Sequence, residues 1–212
     1  MQLHFKPEKH EYFIDKGDGI LAQVPSVTGI INEFIQFGAF YISTFTGARI
    51  PALAFDTARD FGTAAHRMIA LDTTGELDKD SLDPKLAAVL KNWHQLRGMI
   101  RPEIIMSETP LYCSAHGYAG CPDLVCKIRG VLSLIDFKTG ILGHCGPQTA
   151  AYEIPVREKL KTRARFDRYG LSLPKDGSGF RLVKYADRND WGFFQARLFQ
   201  YRYLRGKGDS NR

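Results

Sequence analysis

The residues best suited to chemistry lie in one stretch, GYAGCPDLVCKIRGVLSLIDFKTG, where Pro122-Asp123 is followed by Asp136-Phe137-Lys138. Two apolar runs, Leu124 to Ile128 and Val131 to Phe137, flank Arg129-Gly130, a two-residue loop of the kind that closes a β-hairpin. With that loop, Ile128 pairs with Val131, and stepping outward sets Asp123 opposite Asp136 on one face of the sheet. Directly opposed side chains have Cβ atoms about 5 Å apart. Lys138 stands two residues beyond Asp136, so the period of a strand puts it on the same face. Two carboxylates facing each other repel and weaken a sheet. A divalent cation between them removes that penalty, so the pattern predicts a metal site with an amine beside it.

The surrounding elements must deliver further groups to this hairpin. Residues 1–30 read as a small β-hairpin or meander: His10 to Ile14, a turn over residues 16–19, then Ile20 to Val24. Ser26 is an N-cap for a helix through Phe34. Residues 36–50 show no clear period. Asp56 caps a helix from Thr57 to about Leu71, with Ala58, Phe61, Ala65, Met68 and Ile69 as its apolar stripe, and Pro84 opens another to about Gly98. Ile104 to Cys113 reads as a first strand, the hairpin supplies the second and third, and residues 140–146 form a flexible loop. Pro147 suits the first turn of a helix carrying Gln148 and Tyr152, which Pro155 kinks or ends. Phe180 to Tyr185 is a later strand and Trp191 to Leu204 a closing helix. The class is α/β, a mixed central β-sheet flanked by helices. The expected organisation is a single domain over residues 1–212, with a β-rich extension over about residues 1–35 and a core over about residues 56–204.

A chain of 212 residues, 44% hydrophobic and 25% charged, has the composition of an ordinary soluble domain. Its net charge of +6 favours a polyanionic partner. Basic residues gather late in the chain: Arg157, Lys159, Lys161, Arg163, Arg165 and Arg168, then Arg202, Arg205 and Lys207. Phe166, Tyr169 and Trp191 lie near them and can stack on unpaired bases. No apolar run reaches the roughly 20 residues that span a bilayer, and the N-terminus lacks the apolar core of a signal peptide, so a cytoplasmic location without membrane contact is expected. Cys113, Cys121, Cys126 and Cys145 contain no CxxC pair and read as reduced, structural residues. His116 and His144, in glycine-containing loops near the hairpin, read as accidental neighbours.

Four segments taken in order resemble a known family. Gly62-Thr63-Ala64-Ala65-His66 resembles a GxxxH motif, Pro122-Asp123 with Asp136-Phe137-Lys138 the PD…DxK signature, and Gln148-Thr149-Ala150-Ala151-Tyr152 a QxxxY motif. The set is similar to the RecB-like branch of the PD-(D/E)XK nuclease superfamily, especially its small stand-alone phage exonucleases and the mitochondrial genome maintenance exonuclease. Residues 62–152 carry the likeness, and Val24-Pro25-Ser26-Val27-Thr28 also looks like the phage members.

That resemblance implies a restriction-endonuclease-like core. It also implies a DNA exonuclease that hydrolyses phosphodiester bonds with a metal-activated water, in phage DNA recombination, replication or repair. An endonuclease or flap nuclease of the same superfamily, or a DNA-binding module that does not cut, are the alternatives. Asp123 and Asp136 would ligate one or two Mg²⁺ or Mn²⁺ ions, with His66 as an additional ligand and Gly62 letting its helix approach the sheet. Lys138 would orient the water and stabilise charge developing on phosphorus. Gln148 and Tyr152 would hold the nucleophile, Lys138 or a DNA phosphate, and Glu108, on the first strand, would support the site. The implied partners are DNA and a single-strand annealing or replication protein, in the host cytoplasm for a phage-encoded chain. Iron–sulfur members of the branch carry a cysteine cluster after the QxxxY helix. Here no cysteine follows Cys145, so no cluster is expected.

Overall fold

The computed structural model describes residues 1–32, 34–43, 47–140 and 142–209. Residues 33, 44–46 and 141 and the Lys207 side chain, on which parts of the sequence reading fall, lie outside the described set. The chain opens with an antiparallel meander, β1 (Gln2–Lys6), β2 (Glu11–Asp15) and β3 (Leu21–Val24). Ser26 caps the short helix α1 (Val27–Ile31), its hydroxyl accepting from the Gly29 N–H at 3.0 Å. The helix stops there instead of reaching Phe34, because the chain enters a second small antiparallel sheet: β4 (Phe34–Phe37), β5 (Phe40–Ser43) and β6 (Arg49–Pro51). The stretch without visible periodicity is therefore largely ribbon, built from strands too short to show alternation.

The helix α2 (Ala52–Thr74) begins at Ala52, directly after Pro51. Asp56 is consequently inside it and pairs with Arg59 at 3.0 Å instead of capping. Of the expected stripe, Ala65, Met68 and Ile69 are buried, Phe61 is half-buried and Ala58 is exposed. The helix α3 (Pro84–Ile100) starts as expected, with the Asp83 carboxylate accepting from the Lys85 N–H at 2.8 Å. The buried Asp72 carboxylate joins the two helices, accepting from Trp93 Nε1 at 3.1 Å and Arg97 Nη1 at 3.2 Å and lying 2.8 Å from His94 Nε2.

The span from Ile104 to Cys113 is two strands in different sheets, β7 (Glu103–Ser107) and β8 (Leu111–Cys113), the latter paired with β9 (Tyr118–Gly120). The break comes at Glu108, whose backbone is left-handed with φ 44°. Next comes the hairpin β10 (Leu124–Ile128) and β11 (Val131–Lys138), with Ile128 opposite Val131 and Leu124 opposite Ile135. Arg129 and Gly130 both have positive φ, 51° and 81°, as a type I′ turn requires. The chain then crosses through α4 (Cys145–Leu160) to β12 (Phe166–Ser172), parallel to β11, and ends with β13 (Arg181–Tyr185) and α5 (Asn189–Asp209). The central sheet has the order β13-β12-β11-β10-β7, with β11–β12 parallel and the other pairs antiparallel. The sequence reading did not anticipate β12.

Helices cover both faces of this mixed sheet. Val125, Leu134 and Phe166 pack with Val27, Tyr152, Val156 and Phe194 on one face. Leu124, Ile135, Phe137 and Leu171 pack with Met68, Ile69 and Trp93 on the other. Strands buried on both sides read as continuous apolar runs, which is how β11 looks up to Asp136. All four cysteines are free and buried. Among the described residues no helix is long and apolar enough to cross a membrane.

Pro155 does not end α4, which continues to Leu160. A proline has no N–H to give the carbonyl four residues earlier, here Ala151. The buried Tyr118 hydroxyl donates to that carbonyl at 2.7 Å and replaces the missing bond. Tyr118→Phe is expected to cost about 1–3 kcal/mol, because it leaves a buried acceptor unpaired. Urea unfolding should show a lower midpoint at unchanged slope, and an unmoved midpoint would mean the carbonyl finds another donor.

Candidate metal centre

Lys138 ends β11, Asp123 precedes β10, and the N-terminus of α4 meets the same end of these strands, where Cys145 contacts Asp136. Alternation along β11 turns Ile135 and Phe137 toward α2 and α3, and leaves Asp136 and Lys138 on the α4 face. His66 comes from α2 around the strand ends, its ring 5.9 Å from that of Phe137. Polar side chains from several parts of the chain thereby converge.

The two aspartates lie one step past the end of the β10–β11 ladder. The ladder stops at Leu124 opposite Ile135, and Asp123 Oδ2 accepts from the Phe137 N–H at 2.5 Å. The other oxygen, Oδ1, lies 3.2 Å from His66 Nδ1. Asp136 Oδ2 pairs with Lys138 Nζ at 2.5 Å and accepts from Cys145 Sγ at 3.2 Å. Asp136 Oδ1 is buried without a hydrogen-bond partner. The carboxylates thus divide the cationic partners between them, one taking His66 and the other Lys138.

Glu108 enters the site more directly than its expected supporting place on a strand. Its left-handed backbone follows the end of β7, and its N–H donates to the Asp123 carbonyl at 3.2 Å. Ser107 Oγ donates to the same carbonyl at 3.1 Å, so the end of β7 and the start of β10 are tied together. Glu108 Oε1 lies 3.7 Å from His66 Nδ1 and has no hydrogen-bond partner, while Oε2 accepts from Cys121 Sγ at 3.5 Å. Among the described residues, His66, Glu108 and Asp123 form the group whose donor atoms all lie within 4.8 Å of one another. Asp136 is not in that group, and its Oδ1 is buried without a hydrogen-bond partner.

Gln148 and Tyr152 extend the arrangement inward. Gln148 Oε1 accepts from Lys138 Nζ at 3.3 Å, and its Nε2 donates to the Tyr152 hydroxyl at 3.3 Å. Tyr152 can come this close because Gly120 has no side chain: a Cβ there would sit 2.5 Å from Tyr152 Cε1. Gly62 has no such role, since a Cβ would meet Thr139 Oγ1 at an ordinary 3.6 Å.

The electrostatics follow from burying this many charges together. Burial raises the pKa of Asp136 and the neighbouring Asp123 adds to the rise, against the pull of Lys138. Burial acts the same way on Asp123, but His66 and Lys138 outweigh it and hold its pKa below the usual value. Burial opposes the charge on Lys138, and Asp136 and Asp123 overcome it, so the amine stays protonated at every ordinary pH. Burial, reinforced by Asp123 and Asp136, raises the Tyr152 pKa well above its ordinary value, so its hydroxyl remains a donor. For His66, burial is again overcome, by Asp123 and Glu108, and the pKa rises to about 10.

The donor set fits a hard divalent cation: carboxylate oxygens, one imidazole nitrogen, and two buried carboxylate oxygens with no other partner. His66 must lose its proton to ligate, so a rise in pH up to about 10 is expected to favour binding. Mn²⁺ affinity should rise about tenfold per pH unit near neutrality, with about one proton released per ion. Calorimetry in two buffers of different protonation enthalpy measures that proton directly. Affinity independent of pH would remove His66 from the ligand set. The sign reverses for the metal-free fold, since a raised histidine pKa stabilises it below the ordinary value and ceases to do so as pH climbs through about 10.

Other expected contributors lie elsewhere. Arg168 is buried, pairs with Asp190 at 3.0 Å and donates to the Gly146 and Asp187 carbonyls, each at 2.9 Å. It is therefore a structural clamp and not a phosphate contact. Arg157 pairs with Glu153 at 2.5 Å. Lys159, Lys161, Arg163 and Arg165 are exposed around the far end of α4, roughly 20 Å from its N-terminus at 1.5 Å per residue. Phe166 is in the core, and Trp191 packs against the same cluster. His116 lies in an aromatic group with Tyr118 and Trp191, and His144 stacks on Phe193, neither among the three close donors. The sequence reading missed Cys121 and Cys145 as hydrogen-bond donors to the site. Their positions two residues before Asp123 and three before Gln148 were the available signal. No protein-family model and no curated protein matches this chain significantly.

Proposed function

We propose that this chain is a metal-dependent DNA nuclease of the PD-(D/E)XK superfamily, with a restriction-endonuclease-like core and an exonuclease mode of action. The observation that carries the reading is the convergence of Asp123, Asp136, Lys138, His66 and Glu108 at one end of the central strands, with Asp136 Oδ1 and Glu108 Oε1 buried and unpartnered. A fold held together by ion pairs alone has no use for unpaired carboxylate oxygens beside a third carboxylate. The hairpin joined to a parallel strand through α4 supports the core assignment.

His66, Glu108 and Asp123 would hold Mg²⁺ or Mn²⁺, with Asp136 as a further ligand. A bound divalent cation supplies Lewis acidity to a phosphoryl oxygen and acidifies water at neutral pH. Lys138 keeps a fixed positive charge at the end of β11, where negative charge would develop on phosphorus. Gln148, held by Tyr152, restrains the amine at that position. Cys145 and Lys138 share Asp136 Oδ2 and leave its buried Oδ1 without a hydrogen-bond partner. The exposed basic residues at the far end of α4 would meet flanking phosphates, adding salt-dependent affinity without positioning the scissile bond.

Incubation with linear and closed-circular DNA, single- and double-stranded, with Mg²⁺, Mn²⁺ or EDTA, tests this reading. Metal-dependent loss of linear DNA with circles intact is expected. Degradation of circles points to an endonuclease, binding without cutting to a silent module, and neither binding nor cutting removes the reading.

A further inference from the structure

The N-terminal meander brings a second histidine toward the metal centre. His10 stands at the turn between β1 and β2, exposed, with a left-handed backbone at φ 53°. Left-handed backbone is uncommon outside glycine, and histidine is one of the residue types enriched there. The ring is held in place on its apolar sides: Phe5 meets it edge-on at 5.5 Å, and so does Tyr12 at 5.5 Å. Tyr12 is fully buried and packs with Ala119 and Cys121. Cys121 is the residue that donates to Glu108. The meander is fastened to the body by the Ala119 N–H, which donates to the Pro25 carbonyl at 2.9 Å. A short path thus runs from His10 through Tyr12 and Cys121 to Glu108.

We propose that His10 is a substrate-contacting residue of the same site, donating a hydrogen bond from Nδ1 to a phosphodiester oxygen of the bound DNA strand. The proposal rests on the nuclease reading and adds to it a contact from outside the motif-bearing core. The tautomer follows from Tyr12. Its hydroxyl lies 3.3 Å from His10 Nε2 and belongs to a side chain with no solvent exposure. A buried hydroxyl must place its proton on an acceptor, and Nε2 is the acceptor at hand. Burial raises the Tyr12 pKa far above its ordinary value, so that proton is present. With Nε2 accepting, the ring proton sits on Nδ1, which makes Nδ1 a donor suited to an anionic oxygen and unsuited to a metal ion. The location agrees: His10 lies outside the tight group of His66, Glu108 and Asp123 and is joined to Glu108 by the contacts through Tyr12 and Cys121.

His10→Gly removes the ring while suiting the left-handed backbone, and Tyr12→Phe removes only the hydroxyl that sets the tautomer. The readouts are affinity for a fluorescein-labelled single-stranded oligonucleotide in Ca²⁺, Mn²⁺ affinity by calorimetry, and cleavage in Mn²⁺. His10→Gly is expected to weaken oligonucleotide binding and raise KM, each about tenfold, with Mn²⁺ affinity within about twofold of wild type. Tyr12→Phe should move the same two quantities in the same direction by a smaller factor, and it carries the test alone if His10→Gly does not fold. Wild-type oligonucleotide affinity and KM in both variants overturn the proposal while leaving the nuclease reading intact. Loss of Mn²⁺ affinity in His10→Gly overturns it too, by making His10 a ligand. A wild-type protein that neither binds nor cuts DNA overturns both.

Discussion

Replacing Asp123 with alanine is expected to abolish divalent-cation binding and cleavage together. Asp123 links three of the converging elements. Its Oδ1 faces His66 on α2, its Oδ2 accepts from Phe137 on β11, and its carbonyl holds the end of β7 through Ser107 and Glu108. Without the carboxylate, Glu108 and His66 remain as an incomplete set, and the imidazole loses the partner that most raises its pKa. Cleavage should fall by at least about 10³-fold, the upper range for losing one group that stabilises transition-state charge. Thermal or urea unfolding separates loss of metal from loss of fold. Mn²⁺ at 100 times its Kd should stabilise the wild type by about 2.7 kcal/mol and the variant not at all. The metal-free variant should also lose about 1–3 kcal/mol, because the buried Phe137 N–H loses its acceptor. An Asp123→Ala protein whose unfolding midpoint still rises with Mn²⁺ would falsify the ligand assignment.

The order of these effects explains what could be read before the fold was known. The hairpin was legible because its information is local: a two-residue turn fixes the pairing of Ile128 with Val131, and the period of two then places Asp136 and Lys138 together. The QxxxY spacing was legible for the same reason, since residues four apart share a helix face, as the Gln148–Tyr152 bond shows. The orientation of Asp123 was not legible, because it depends on where the ladder stops and on an imidazole arriving from α2. Glu108 was legible only through the resemblance, and its place was read as mid-strand; its left-handed backbone instead ends β7 and divides residues 104–113 between two sheets. The strand β12 was hidden by its charges. Arg168 reads as surface in isolation, and it is buried only because Asp190 from α5 and the Gly146 carbonyl from α4 meet it. Gly146 in turn accommodates the carboxylate, since a Cβ there would lie 2.6 Å from Asp190 Oδ1. Pairings across such distances in the chain carry no periodic signal, so they surface only in three dimensions.

Lys138→Ala is expected to separate chemistry from metal binding, which Asp123→Ala does not. Lys138 contacts Asp136 and Gln148 and is absent from the tight donor group. Its loss should lower kcat by about 10²–10³-fold, the range for one preorganised donor at a developing negative charge. Mn²⁺ affinity should hold or increase, because a permanent positive charge beside Asp136 has been removed and the freed carboxylate oxygen can turn to the cation. A purely structural lysine predicts the opposite pattern, with stability lost and both kcat and metal affinity following the folded fraction. Gln148→Ala probes the layer behind it. Gln148 touches Lys138 on one side and Tyr152 on the other, so removing it loosens the amine without discharging it. A loss of roughly tenfold in kcat is expected, within the range for removing an outer-shell partner. Residues acting through one group are not independent, so the double variant should be no slower than Lys138→Ala alone. Losses that multiply would instead put the Gln148 amide on the substrate directly, with Lys138 as its neighbour and not its client.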